Sequence, residues 1–217
     1  VPSRPLTKTA KVLRGVVPGI VESDKILLWN GGITEWNDVD TLLHAMAGLA
    51  VARPEIKLVF MGVDHPDYAF GPSAGVTKHA FELAERLGIK DRNVFFRSGW
   101  VPYEEIDNYL AEADASVCLG YENIESRFAF RTRYVDLFRA RVPLLCTRGD
   151  VLADRVEKEP MGLTVPERDV DAVRAEPLVI VGEVRPHGRH HRRPLAEQRE
   201  VVGDVGRAAA RLATQAV

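Results

Sequence analysis

Short apolar runs that end in glycine or a polar loop alternate along the chain with stretches whose apolar residues recur at helical spacing. That alternation is the mark of a parallel sheet wrapped by helices. Lys25-Ile26-Leu27-Leu28-Trp29 is the first run and stops at Asn30-Gly31-Gly32, which predicts a buried strand entering a tight turn. Leu42, Leu43, Ala45, Met46, Leu49 and Ala50 then predict a helix from Asp38 onward, with Asp38 and Asp40 at its positive end. Leu58-Val59-Phe60-Met61-Gly62 repeats the strand pattern, and a polar loop with His65-Pro66-Asp67 follows. A helix is expected over residues 77–87, stopped by Gly88. Asn93-Val94-Phe95-Phe96 gives a third strand, closed by Gly99-Trp100-Val101-Pro102. Further on the pattern predicts a helix over 103–112, a strand over 115–119, a charged loop over 120–131, a helix over 132–141, a strand over 143–147 and a short helix over 151–157.

The fold class is therefore α/β, with the regular part over residues 25–171. Residues 1–24, broken by Pro2, Pro5, Gly15, Pro18 and Gly19, read as a linker and lead-in. From residue 172 the regularity fails and an atypical tail is expected over 172–217. Pro177-Leu178-Val179-Ile180-Val181 is a strand candidate, His187 to Pro194 is basic and histidine-rich, and residues 206–217 form an Ala/Arg helix pattern. No internal repeat is present at a period of about 20–50 residues.

Composition narrows the function classes. The 217 residues carry 29 Lys plus Arg against 31 Asp plus Glu, a net charge of −2. No global positive field exists to attract nucleic acid or anionic lipid. The two cysteines, Cys118 and Cys146, sit inside apolar runs, where a reduced thiol behaves as a small hydrophobe. A reducing, cytoplasmic compartment is expected. No run reaches the roughly 18–20 apolar residues of a membrane span, and the first residues lack the apolar core of an export signal.

The most informative segment is Glu125-Ser126-Arg127-Phe128-Ala129-Phe130-Arg131-Thr132-Arg133-Tyr134-Val135-Asp136. It sets Arg131 and Arg133 at the start of a helix, the end that repels cations unless an anion lies between. Backbone N–H groups and guanidinium forks together suit a phosphate. The alternative is that Arg127, Arg131 and Arg133 neutralise Glu122 and Glu125 on a solvated loop. Asp136 lies one turn inside, where it accepts hydroxyl hydrogen bonds from a ribose or pairs with Arg133. Gly31-Gly32 lets backbone approach a ligand closely but is neither a dinucleotide fingerprint nor a P-loop. Trp100-Val101 sits at a strand end where backbone or indole meets a base, or where the Trp is simply core. His65 is a candidate ligand contact in the second strand-end loop. His187, His190 and His191 lack a neighbouring Cys or carboxylate, so no metal site is expected.

The order Leu28-Trp29-Asn30-Gly31-Gly32-Ile33, Val59-Phe60-Met61-Gly62 with His65-Pro66-Asp67, Trp100-Val101-Pro102-Tyr103, Phe128-Ala129-Phe130-Arg131-Thr132-Arg133 through Asp136, and Thr147-Arg148-Gly149-Asp150 resembles the C-terminal donor domain of bacterial GT-B glycosyltransferases, in the glycogen-synthase-like retaining group known as group 1. The resemblance runs from about Gly15 to Asp171. It implies a Rossmann-like lobe of a GT-B fold that holds a nucleotide-diphosphate sugar opposite an acceptor lobe absent from this chain. It also implies that Gly31 and Gly32 lie near the sugar diphosphate, that Trp100 and Val101 hold the base, and that Asp136 stands at the ribose-contacting position. Glu125 is the candidate catalytic carboxylate that touches the donor sugar, at a wider spacing from Asp136 than is usual in the family. Where the family has a basic residue beyond the glycine turn, this chain has Glu35-Trp36-Asn37-Asp38, so neutralisation of the diphosphate falls on Arg131 and Arg133. No metal or other cofactor is implied. Two other readings of the same residues are a noncatalytic nucleotide-binding or interaction domain and one lobe of a nucleotide-sugar epimerase.

Overall fold

A computed structural model describes residues 5–63, 72–159 and 161–180. Six strands, β1 (Lys25–Asn30), β2 (Ile56–Met61), β3 (Val94–Phe96), β4 (Ala115–Cys118), β5 (Leu144–Thr147) and β6 (Gly162–Val165), form one sheet in the order β3-β2-β1-β4-β5-β6. All paired neighbours are parallel. The helices are α1 (Val39–Ala52), α2 (Pro72–Arg86), α3 (Ile106–Glu112, preceded by a 3-10 turn at Tyr103–Glu105), α4 (Ile124–Phe128), α5 (Thr132–Ala140), α6 (Val151–Lys158) and α7 (Val170–Ile180). The Rossmann-like parallel sheet flanked by helices is as the sequence predicts.

Each central strand buries both faces, and the two-residue period of a strand sorts its side chains between two cores. Leu27, Trp29, Leu58, Phe60 and Val117 join residues of α1, α2 and α7 on one side. Ile26, Leu28, Val59, Met61, Cys118 and Cys146 join residues of α3, α5 and α6 on the other. Trp29, fully buried, donates its Nε1–H to the Gly32 carbonyl at 3.3 Å, so the indole is core and turn anchor together. Among the described residues no helix is long and apolar enough to cross a membrane.

Three elements depart from the sequence expectation. β6 is half-exposed and buries only Val165, so its apolar signal is weak. α4 has only five residues and forms inside the expected charged loop, capped by Asn123, which accepts from the Ser126 amide at 2.8 Å. The strand candidate at Pro177 is instead part of α7: Val173 and Pro177, four residues apart, are both buried, and α7 packs on α1. A short apolar run by itself does not separate buried strand from buried helix. Residues 206–217 and the histidine-rich stretch lie outside the described residues.

The lead-in has no regular element, yet it is packed on the domain. Leu13, Val17 and Ile20 enter the α3-side core. The side chains of α3 take up its backbone amides: Asp107 from Thr7 at 3.0 Å, Asn108 from Thr9 at 2.8 Å and Ala10 at 3.1 Å, Glu112 from Val12 and Arg14 at 2.8 Å each and Leu13 at 3.3 Å. Burial pushes the Glu112 pKa up, but the amides of Arg14 and Val12, the Lys8 ammonium and the Leu13 amide outweigh it, and the net shift is downward. A carboxylate with a depressed folded pKa contributes stability above its unfolded value, about 4.3, and that contribution is lost as pH falls through the folded value. Glu112→Gln should therefore cost about 1.5–3 kcal/mol at pH 7. The gap to wild type should close below about pH 4, and chemical denaturation at the two pH values measures it.

Candidate functional site

In the strand order 3-2-1-4-5-6 the connections leave β1 and β4 toward opposite sides, and the crevice outside their carboxyl ends is where open α/β sheets bind ligands. Gly31 and Gly32 follow β1 and Gly120 follows β4. Gly31 has φ +137°, a conformation that favours glycine. The loops are tied across the crevice mouth: the Tyr121 amide donates to the Trp36 carbonyl at 3.1 Å and the Asp38 amide to the Leu119 carbonyl at 3.1 Å. Gly120 donates to Thr147 Oγ1 at 3.0 Å, tying in the end of β5.

The two arginines at the start of α5 lie over the two glycines. A Cβ on Gly31 would stand 3.1 Å from Cζ of Arg133, and one on Gly120 would stand 3.2 Å from Nη2 of Arg131. Glycine at both positions lets a guanidinium rest on backbone at the ends of β1 and β4. Arg133 Nη1 is buried and has no hydrogen-bond partner among the described residues. The Arg131 Nε–H donates to Asp150 Oδ2 at 2.9 Å. Burial works against the Arg131 charge, but Tyr134, Cys118 and Asp150 together hold its pKa above the ordinary arginine value. Burial also pushes the Tyr134 phenol and the Cys146 thiol beneath it well up. Arg131 is itself the N-cap of α5 and supplies no side-chain cap, which leaves first-turn amides open to an outside acceptor. Two cations, an uncapped helix start and the open space beside Gly32, which has nothing within 4 Å of a built Cβ, form a cradle whose charge and open amides suit an anion.

The remaining candidates are spread along the same carboxyl edge. Asp136 is half-buried one turn into α5, and the cation it meets there is Arg139, at 3.6 Å, in place of the Arg133 pairing considered from sequence. The Arg133 guanidinium lies against Gly31 instead. Glu125 is exposed in the first turn of α4. Trp100 is half-exposed, and Val101 packs near Gly62 at the end of β2, where a Cβ on that glycine would stand 3.4 Å from the Val101 nitrogen. His65 lies outside the described residues.

Three residues without a role in the sequence reading shape the cradle. Asn30 ends β1 and donates to the Arg133 carbonyl at 3.1 Å, fixing α5 against the strand; Ser116 donates to the Leu28 carbonyl at 2.7 Å and lies 3.4 Å from Asn30 Oδ1. Asp150 caps α6, accepting from Leu152 at 2.9 Å and Ala153 at 2.7 Å, while it also holds Arg131. The Gly149-Asp150 pair just before an apolar helix pattern is a cap signal in sequence, but its second bond crosses from another element. Of the nearby carboxylates in Asp38-Val39-Asp40, Asp38 caps α1 and takes the Arg168 amide, and Asp40 meets His79 at 3.0 Å.

The model of the family described as glycosyl transferases group 1 matches residues 16–176. None of the curated proteins matches the sequence. Among solved structures the chain is similar to WaaG, a glycosyltransferase involved in lipopolysaccharide biosynthesis, with TM-score 0.61 and 20% identity over 97% of this chain and 50% of that one. It is also similar to the C-terminal domain of the group 1 glycosyl transferase LpcC from Francisella tularensis, with TM-score 0.58, 14% identity, and 81% and 85% of the two chains covered. A third likeness is to HepE from Anabaena, in complex with UDP-glucose, with TM-score 0.55 and 16% identity over 70% of this chain and 37% of that one. The chain thus spans about half the length of WaaG and matches one lobe of the GT-B fold.

Proposed function

This chain belongs to the group 1 glycosyl transferases, and from that premise we propose that it is the donor-binding half of an enzyme that transfers a sugar from a nucleotide-diphosphate sugar, with retention, once joined to an acceptor lobe. The observation that carries this reading is the cradle itself: Arg131 and Arg133 resting on Gly120 and Gly31 at the switch point, with Arg133 Nη1 buried and unpartnered among the described residues. A diphosphate gains negative charge as the glycosidic bond to it breaks, so fixed guanidinium donors stabilise the departing group more than the bound donor. In this reading Gly31 and Gly32 back the diphosphate, Asp136 takes ribose hydroxyls, Trp100 and Val101 meet the base, and Glu125 touches the sugar. Arginines and a helix start supply the neutralisation, and no metal takes part. The buried, unbonded thiols Cys118 and Cys146, directly opposite one another on β4 and β5, support a reducing, cytoplasmic setting.

The test is calorimetric titration of the 217-residue chain with UDP, GDP, TDP and ADP, with and without EDTA, followed by a transfer assay on the chain alone and joined to an acceptor lobe. One of the four should bind with micromolar to millimolar Kd, about −4 to −8 kcal/mol, since one lobe offers one wall of a cleft. EDTA should change nothing. Binding by none of the four overturns the donor reading, loss of binding in EDTA overturns the arginine mechanism, and robust transfer by the lone chain overturns the half-enzyme reading.

A further inference from the structure

We propose that Asp150 is the positioning residue for Arg131, a role that rests on the phosphate reading above and names the group that aims one of its two guanidiniums. The Asp150 carboxylate divides its oxygens. Oδ1 accepts the Leu152 and Ala153 amides at 2.9 and 2.7 Å, and Oδ2 accepts the Arg131 Nε–H at 2.9 Å. Two amides of a helix start fix the first oxygen in place, and the planarity of the carboxylate then fixes the second. The side chain of Asp150 is 3% exposed and that of Arg131 is 18% exposed, so water competes weakly for this bond.

The consequence for Arg131 follows from guanidinium geometry. With the Nε edge occupied, the fork is held with Nη2 over Gly120, and its outer N–H donors remain for an anion. Without Asp150 the side chain can rotate, and a fork that must be ordered at each binding event holds its ligand less tightly. Gly149, with φ +106°, makes the turn that delivers Asp150 from the end of β5. The carboxylate thus couples the β5–α6 turn to the start of α5.

Asp150→Asn separates capping from positioning. Asparagine caps a helix about as well as aspartate, but it carries no charge to hold Arg131, so the fork is released while α6 keeps its cap. The readout is the ratio of affinities for the best-binding of UDP, GDP, TDP and ADP and for its own nucleoside, measured by calorimetry on the full chain. Asp150→Asn should lower that ratio about tenfold, and should lower it no further in an Arg131→Ala background. Asp150→Ser, another good cap, gives the same comparison should the asparagine variant fold poorly. If Arg131→Ala lowers the ratio and neither Asp150 variant does, the positioning role is wrong. A drop of equal size in the Arg131→Ala background also overturns it, because Asp150 would then act independently of Arg131. An Arg131→Ala variant with an unchanged ratio overturns the phosphate reading itself.

Discussion

Arg133→Met should weaken binding of a nucleoside diphosphate by about ten- to a hundredfold, the loss of one charge-assisted pair worth roughly 1.5–3 kcal/mol. Binding of the matching nucleoside should stay within about twofold, and the melting temperature should hold or rise. The last expectation has an unusual sign. Most arginine replacements in a half-buried setting cost stability, but Arg133 Nη1 is buried without a partner among the described residues, and an unmet donor costs about 1–3 kcal/mol that methionine does not incur. Methionine keeps an unbranched stem against Gly31. Arg131 should behave oppositely, because its removal strands the buried Asp150 carboxylate. Calorimetry with nucleotide and nucleoside, run beside a melting curve, checks both halves. Equal losses for nucleotide and nucleoside, or a large fall in melting temperature, would mark Arg133 as a structural residue.

The largest stability effect is expected far from the cradle. A Cβ on Gly162 would lie 1.9 Å from the Leu144 carbonyl oxygen and 2.7 Å from the Leu144 carbonyl carbon and nitrogen. These are backbone atoms of the paired strand, since Gly162 is in register with Leu144 on β5. No rotamer relieves such a clash, so the edge strand must shift or detach. Gly162→Ala should cost about 3–5 kcal/mol, at the extreme of single substitutions, and lower the melting temperature by roughly 10 °C in a chain of this size. Gly75→Ala, on α2 with open space around it, should instead hold stability or raise it by about 0.5–1 kcal/mol. A melting curve for Gly162→Ala within about 1 °C of wild type would show that β6 is not held in tight register against Leu144.

Much of the fold was legible in the sequence because five of the six strands are central or strongly apolar, and their runs stop at a glycine or a polar residue that the structure uses as a turn. β6 was not, because an edge strand with one buried residue has no periodicity to read. α7 was read in the wrong period at Pro177, where burial four residues apart decides for helix. At the site, the cations at the wrong end of α5 were visible as a local contradiction with the helix dipole. What they rest on was not visible. The contact of Arg133 with Gly31 joins positions separated by most of the fold, those of Arg131 with Gly120 and Asp150 cross from one element to another, and a single sequence carries no mark of such pairings.

The way the lead-in is fastened decides how force enters the domain. The Thr7 amide donates to Asp107 Oδ2, and the other oxygen of that carboxylate takes Arg139 Nη2 at 2.5 Å. Asp107 is therefore a rivet shared by the incoming chain, α3 and α5. A pull on the segment near residue 7 is delivered sideways, into α3 and through Arg139 into the last turn of α5, before it reaches β1. A load on that segment falls first on a buried carboxylate, 1% exposed, and the bonds of Asn108 and Glu112 to the following amides share it next.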